Sequence, residues 1–209
     1  MKIEKQQVKL GMPIDVMSEI KKIERAARNC YKSEDKIDEN SYSKIISNCI
    51  KHGHYSILEH TSVTFFVVTN RAIANQIVRH RTGVFSQEST RYCNYNKDKF
   101  GNSMRFIKPE TTNEECFQLM LDSYSFAEKK YKQLIEKGIS PEVARDILPL
   151  GLSTSLYVTF DLRGWRNFLN LRLEKSAQLQ IREIAKEFLL QLYKLFPIIF
   201  LDIKEKYGY

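Results

Sequence analysis

Residues 62–81 read Ser62-Val63-Thr64-Phe65-Phe66-Val67-Val68-Thr69-Asn70-Arg71-Ala72-Ile73-Ala74-Asn75-Gln76-Ile77-Val78-Arg79-His80-Arg81, and two structural periods meet in them. Ser62 to Thr69 is rich in β-branched and aromatic residues, the composition of a buried strand. Asn70 is of a helix-capping type, and Ile73 and Ile77 then recur at the spacing of a helix running to about Arg81. On that helix Gln76, Arg79 and His80 share one face at i, i+3 and i+4, with Ile73 and Ile77 on the flank that packs inward. A strand feeding a helix whose last turn carries a polar, basic cluster is where a binding site is expected.

Outward from this unit the chain alternates between helical and extended signals. Upstream, Gln7 to Leu10 reads as a short strand. Val16 to Tyr31 places Ile20, Ile23, Ala27 and Cys30 on a helical period, and Ser41 to Lys51 repeats it with Ile45, Ile46, Cys49 and Ile50 before Gly53 stops the helix. Downstream, Arg91 to Tyr95 and Met104 to Lys108 read as strands. Thr112-x-x-Glu115 reads as a capping box opening a long amphipathic helix that ends before Gly138, and Ser140-Pro141-Glu142 starts a short one. Leu156 to Phe160 is a further strand, followed by helices over Leu162 to Leu173 and Ala177 to Leu195. The fold class is therefore α+β: a helix-dominated single domain over 1–209, around a modest mixed or antiparallel sheet, with no repeat and no linker.

A chain of 209 residues, 43% hydrophobic and 28% charged, buries roughly two-thirds of its unfolded surface and needs neither disulfides nor metal to fold. Cys30, Cys49, Cys93 and Cys116 stand far apart with no CxxC, so core residues or thiols are expected rather than a disulfide framework. His52, His54 and His60 form H-x-H-x5-H, which matches no standard zinc ligand set, so no metal is expected. No apolar run reaches the roughly 18 residues of a membrane span, and the first ten residues are too polar for a signal segment. A cytoplasmic location without membrane association follows as an expectation.

The net charge of +8 and pI near 9.2 call for anionic partners: nucleic acid, a membrane surface or phosphorylated small molecules. A basic nucleic-acid-binding protein is the alternative to an enzyme. No helix-turn-helix, RRM or zinc-finger pattern is present, and stacking aromatics are not interleaved with the basic cluster. Taken alone, Arg79-His80-Arg81 is a solvated basic helix end meeting the negative pole of the dipole. The polar loop Ser86, Gln87, Glu88, Ser89, Arg91 and Tyr92 beyond it supplies more donors, and the two together make a phosphate cradle. No GxGxxG fingerprint occurs, so no cofactor is expected on a Rossmann unit.

Arg79-His80-Arg81, seven residues and then Ser89 resembles the RHRx7S signature of the flavin-dependent thymidylate synthases. The resemblance extends along the chain. Gly53 to His60 is similar to that family's GHxSxxEH stretch, Ala144 to Pro149 to its ARxxLP block, and Asn167 to Arg172 to its NFLxLR block, with Ala177-Gln178 following. Departures fall at Cys30, Gln87, Glu88, Asp161 and Ser176.

The resemblance implies reductive methylation of dUMP to dTMP. The implied carbon donor is 5,10-methylenetetrahydrofolate, and NADPH-reduced FAD is the implied hydride source. A homotetramer with shared sites is implied as well. FAD would be held by Ser56, Arg79, His80, Arg81, Gln87, Asp161, Leu162, Arg163 and Asn167. The nucleotide would be held by Gln76, Ile77, Val78, Arg79, Gln87, Glu88, Ser89, Thr90, Arg91, Arg145 and Arg172. Arg172 is the expected catalytic residue, because a guanidinium against the uracil edge stabilises charge on N3 and O2 and makes C5 more nucleophilic. A homologue that binds FAD or nucleotide without turnover is a further alternative. Ser89 reads as a phosphate ligand rather than a nucleophile, since no triad is identifiable around it. Cys93 reads as structural and His54 as either a flavin or folate neighbour or a capping or core residue.

Overall fold

The computed structural model describes residues 1–97, 101–110 and 112–209. Strands β1 (Lys2–Glu4), β2 (Gln7–Leu10), β3 (Ser62–Asn70), β4 (Val84–Gln87), β5 (Arg105–Ile107) and β6 (Ser153–Asp161) are interspersed with helices. The helices are α1 (Val16–Tyr31), α2 (Ser41–Lys51), α3 (Arg71–Ile77), α4 (Glu114–Glu136), α5 (Pro141–Ala144), α6 (Leu162–Arg172), α7 (Leu179–Leu195) and α8 (Pro197–Tyr207). One sheet has four strands in the order β2-β3-β6-β4 and the other is the pair β1-β5. β1 and β5 run parallel, with Ile3 opposite Phe106. The helix-dominated α+β reading holds.

The chain folds into two compact units made of interleaved segments, so no linker composition marks a border between them. One unit comprises Met1–Gln7, Val67–Arg79 and Phe85–Leu156; the other comprises Val8–Phe66, His80–Val84 and Tyr157–Tyr209.

The first unit is built around α4. Asn113 caps it by accepting from Cys116 N–H at 2.8 Å, one residue after the Thr112 expected from the sequence. Its buried face, with Tyr124 and Tyr131, meets Met104, Phe106, Ala144 and Leu152. The Phe106 and Tyr124 rings stack at 4.4 Å. Gly151 must lack a side chain, because a Cβ there would overlap the Tyr124 ring and hydroxyl. Glu128 is buried at the centre of a small network, 2.8 Å from the Met1 amine and 3.0 Å from Lys132. Burial pushes its pKa upward, but the amine, Lys132 and the Met104 N–H outweigh that and leave it below the usual carboxylate value.

The second unit packs α1, α2, α6, α7 and α8 around an aromatic cluster. Phe65 and Trp165 meet edge to face at 5.2 Å, and Phe160, Phe168 and Phe188 surround the indole. The Trp165 Nε1–H donates to the Val63 carbonyl at 3.0 Å, so the one polar atom of that ring is satisfied in the core. Arg166 is buried beside it, balanced by Asp202 at 2.5 Å and set over the Tyr55 ring at 4.8 Å.

Several sequence expectations need correction. The helix capped by Asn70 closes at Ile77, where Val78 N–H donates to the Ala74 carbonyl; it does not reach Arg81. Arg91 to Tyr95 is a turn, not a strand, because the Ser89 carbonyl accepts from both Tyr92 and Cys93 N–H. The helix expected from Ala177 starts at Leu179, since Ala177 N–H is used in a turn onto the Glu174 carbonyl. β1, β4 and α8 are not marked by any sequence signal, and Ser86 and Gln87, expected in the polar loop, lie on β4. No helix among the described residues is long and apolar enough to cross a membrane, and among them no group of His, Cys, Asp or Glu is placed to hold a metal ion.

Candidate active site

In the first unit the donors sit on the end of α3 and on the loop after β4. Asn70 Oδ1 accepts from Ile73 N–H at 2.8 Å and fixes the start of α3. Ile77 is fully buried, so any part it takes in ligand binding is through its backbone. Past Val78 the chain leaves the helix and Arg79 is exposed; among the described residues its guanidinium has no hydrogen bond or ion pair. The expected shared helical face of Gln76, Arg79 and His80 therefore does not form, because only Gln76 of the three lies on the helix.

β4 delivers Gln87, whose Nε2 donates to Thr154 Oγ1 at 3.2 Å. Glu88 then clamps the following loop. Its N–H donates to the Ser155 carbonyl at 2.9 Å, and its carbonyl accepts from Arg71 Nη2 at 3.0 Å. Its carboxylate accepts from the Tyr95 hydroxyl at 2.7 Å and from Ser155 Oγ at 3.4 Å, with Arg105 at 3.7 Å. Burial, and then the Glu88 charge, push the Tyr95 phenol well above its ordinary pKa. The Glu88 side chain is thus turned to protein partners, and what it offers a ligand is the position it gives Ser89. Ser89 Oγ accepts from Arg91 N–H at 3.3 Å in a tight turn, while Thr90 is buried.

Arg91 and Arg145 meet on one residue that the sequence reading missed. Glu142 accepts from Arg91 Nε on its carboxylate at 2.9 Å and from Arg145 Nε on its carbonyl at 3.1 Å. Its place three residues before Arg145, in the first turn of α5, was the available signal.

The second unit carries the remaining positions on α6 and in the segment around residue 80. Asp161 caps α6, its Oδ1 accepting from Gly164 N–H at 2.6 Å. Leu162 is buried and its N–H donates to the Thr61 carbonyl at 3.0 Å. The exposed face of α6 presents Arg163, paired with Glu59 at 2.5 Å, and Asn167. Ser56 is exposed on the 55–60 turn of 3₁₀ helix. Tyr31 and His54, which the sequence did not bring together, join through the phenol and Nδ1 at 3.0 Å.

Arg172 closes α6, where a cation favourably meets the helix C-terminus. Its Nε donates to His80 Nε2 at 2.8 Å. The His80 ring is buried, 4.6 Å from Phe168 and edge-on to Phe160 at 6.3 Å. Burial, then the Arg172 charge, lower its pKa from 6.5 to about 4. A nitrogen that accepts from a guanidinium is unprotonated, so His80 is neutral with its proton on Nδ1. Within Arg79-His80-Arg81 the positive charge therefore rests on the two arginines.

For a flavin dinucleotide the donor chemistry of this unit fits. Arg81, Asn167 and Ser56 are exposed, and among the described residues their side chains have no partner. Guanidinium, amide and hydroxyl donors left open in this way match diphosphate and ribityl oxygens.

An α+β scaffold that carries two such sets of cationic, amide and hydroxyl donors belongs to a protein that handles anionic nucleotides. The family model described as "Thymidylate synthase complementing protein" matches residues 14–198. The chain is 35% identical over 179 residues to the flavin-dependent thymidylate synthase of Thermotoga neapolitana, covering 82% of this chain and 80% of that one. It is 34% identical over 173 residues to the enzyme of the same name from Pyrococcus abyssi, covering 80% and 70%. It is 30% identical to a probable flavin-dependent thymidylate synthase of Mycobacterium phage D29, covering 89% and 84%. A UMP/dUMP methylase of Streptomyces cacaoi, solved with 5-Br dUMP bound, shares the fold at a TM-score of 0.82, with 24% identity and 95% of each chain covered. The chain belongs to the flavin-dependent thymidylate synthase family.

Proposed function

We propose that the protein converts dUMP to dTMP in the cytoplasm, as a homotetramer, with 5,10-methylenetetrahydrofolate as carbon donor and FAD reduced by NADPH. Bound FAD supplies the hydride. Arg79, Arg81, Asn167 and Ser56 hold it, with Gln87, His80 and Asp161 to Arg163 shaping its surroundings. Gln76 to Arg79, the Gln87–Arg91 loop and Arg145 bind the nucleotide, with Ser89 and the arginines on the phosphate.

The observation that carries this reading is the hydrogen bond from Arg172 to the neutral His80. A ring locked by Phe168 fixes one edge of the guanidinium and therefore its plane. A planar cation held in this way is suited to the N3–C2 edge of uracil. There it stabilises the negative charge that develops as C5 attacks the one-carbon unit. Because His80 carries no charge of its own, it orients Arg172 without competing for the pyrimidine.

The test is spectroscopic and then kinetic. The purified protein should show oxidised-flavin bands that NADPH bleaches, should form dTMP when dUMP and methylenetetrahydrofolate are added, and should elute near four times 24.6 kDa. A colourless protein that FAD cannot reconstitute would refute the reading.

A further inference from the structure

A pocket of about 920 Å³ lies along α2 in the second unit, walled by the end of α1, the segment after it and one face of α2. Its wall carries more positive charge than it balances. Lys44 and Lys51 are two turns apart on α2, about 10 Å along the axis, and Lys36 stands on the segment between α1 and α2. Among the described residues none of these three ammonium groups has a hydrogen bond or an ion pair.

The other wall charges do not offset them. Arg28 is matched by buried Glu24 at 3.2 Å, an oxygen that also accepts from Ser41 Oγ at 2.6 Å. Asp38 is the single carboxylate on the wall, and one of its oxygens accepts from Asn40 N–H at 2.8 Å.

Three cations set apart along a helix length suit a ligand whose negative charges are themselves spaced out. A lone phosphate would need donors that converge. Tyr31 lines the same pocket and is bonded to His54, two residues before Ser56 of the proposed flavin set. We propose that this pocket binds an extended polycarboxylate, the oligo-γ-glutamyl tail of the folate donor. The identity of that donor rests on the function proposed above.

Isothermal titration of the full chain with γ-linked pentaglutamate at low salt reads the pocket without any turnover. Binding should weaken as ionic strength rises. It should also weaken about fivefold in each of Lys44→Gln and Lys51→Gln, the scale of a partly exposed ion pair. Lys194→Gln, which removes another exposed charge from the end of α7, should leave it unchanged. In assays the KM for pentaglutamyl methylenetetrahydrofolate should rise toward that of the monoglutamyl form in the two pocket variants, at constant kcat. Absence of pentaglutamate binding, or an equal loss in Lys194→Gln, overturns the proposal. So does weakened NADPH binding in the pocket variants while pentaglutamate affinity stays the same. A chain that makes no dTMP yet keeps the lysine-dependent titration would refute the enzymatic reading and leave the pocket assignment standing.

Discussion

Arg172 Nε lies 2.8 Å from His80 Nε2, a bond that spans 92 residues of sequence and sets the direction of the guanidinium. The bond makes Arg172→Ala a test of chemistry more than of folding, because His80 stays packed on Phe168 without it. Flavin content should be retained and single-turnover dTMP formation should fall by about a hundredfold or more, the scale of losing one transition-state donor. Arg172→Lys should not recover the rate, since an ammonium cannot bond His80 and present a planar edge at once. Undiminished turnover in Arg172→Ala would show that the residue is not catalytic.

Burial of His80, and after it the Arg172 charge, predicts how stability responds to acid. His80 has its folded pKa lowered to about 4 from 6.5, so between those values the unfolded chain binds the proton and the native one does not. Stability is complete above pH 6.5 and falls as pH drops toward 4, by at most roughly 3 kcal/mol. Urea unfolding at pH 7.5 and pH 5 should show the loss, and His80→Gln, which cannot take up the proton, should make the difference smaller. An identical pH slope in both proteins would mean that other groups carry the acid sensitivity.

Local periodicity made much of the fold legible, and the misses have local causes too. α1 and α2 were readable to the residue because their apolar stripes are regular and their ends are polar. The helix after Asn70 reads too long in sequence because Arg79 and Arg81 are good helix formers. The helix nevertheless closes at Ile77, and a separate turn with Gly83 N–H on the His80 carbonyl follows it. β1 was invisible because three residues hold no period; its pairing with β5 across a hundred positions is what makes it a strand. Motifs nominate candidate site residues, whereas the contacts of Glu142 and the Tyr31–His54 pair carry no such signal. Ordinary polar residues acquire roles from tertiary partners that no spacing encodes.

Glu142 makes a prediction of opposite sign to the usual loss of function. Its ion pair with Arg91 is about half exposed on both sides, so it contributes under about 1 kcal/mol and a phosphate dianion can displace it. Glu142→Gln removes the competing carboxylate but keeps the backbone carbonyl that Arg145 uses. The KM for dUMP should drop by roughly threefold at constant kcat, within the strength of such a pair. Ser89→Ala should raise that KM about tenfold with kcat preserved, as expected for one hydrogen bond to a charged group. Lost chemistry with unchanged dUMP affinity in Ser89→Ala would overturn the phosphate assignment.

Glu88 separates loop positioning from ligand contact. Its carboxylate takes the Tyr95 hydroxyl at 2.7 Å and Ser155 Oγ at 3.4 Å, so truncation costs the buried hydroxyl an acceptor. Glu88→Ala should lower stability by about 1–3 kcal/mol and raise the KM for dUMP, because Ser89 loses its anchor. Glu88→Gln keeps an acceptor oxygen for Tyr95 and should recover most of both. Tyr95→Phe in the Glu88→Ala background should cost much less than Tyr95→Phe alone, since the two groups share one interaction. A double-mutant cycle in chemical denaturation measures that coupling. Additive losses would mean that the Glu88 carboxylate stabilises the loop through Ser155 Oγ and Arg105 instead.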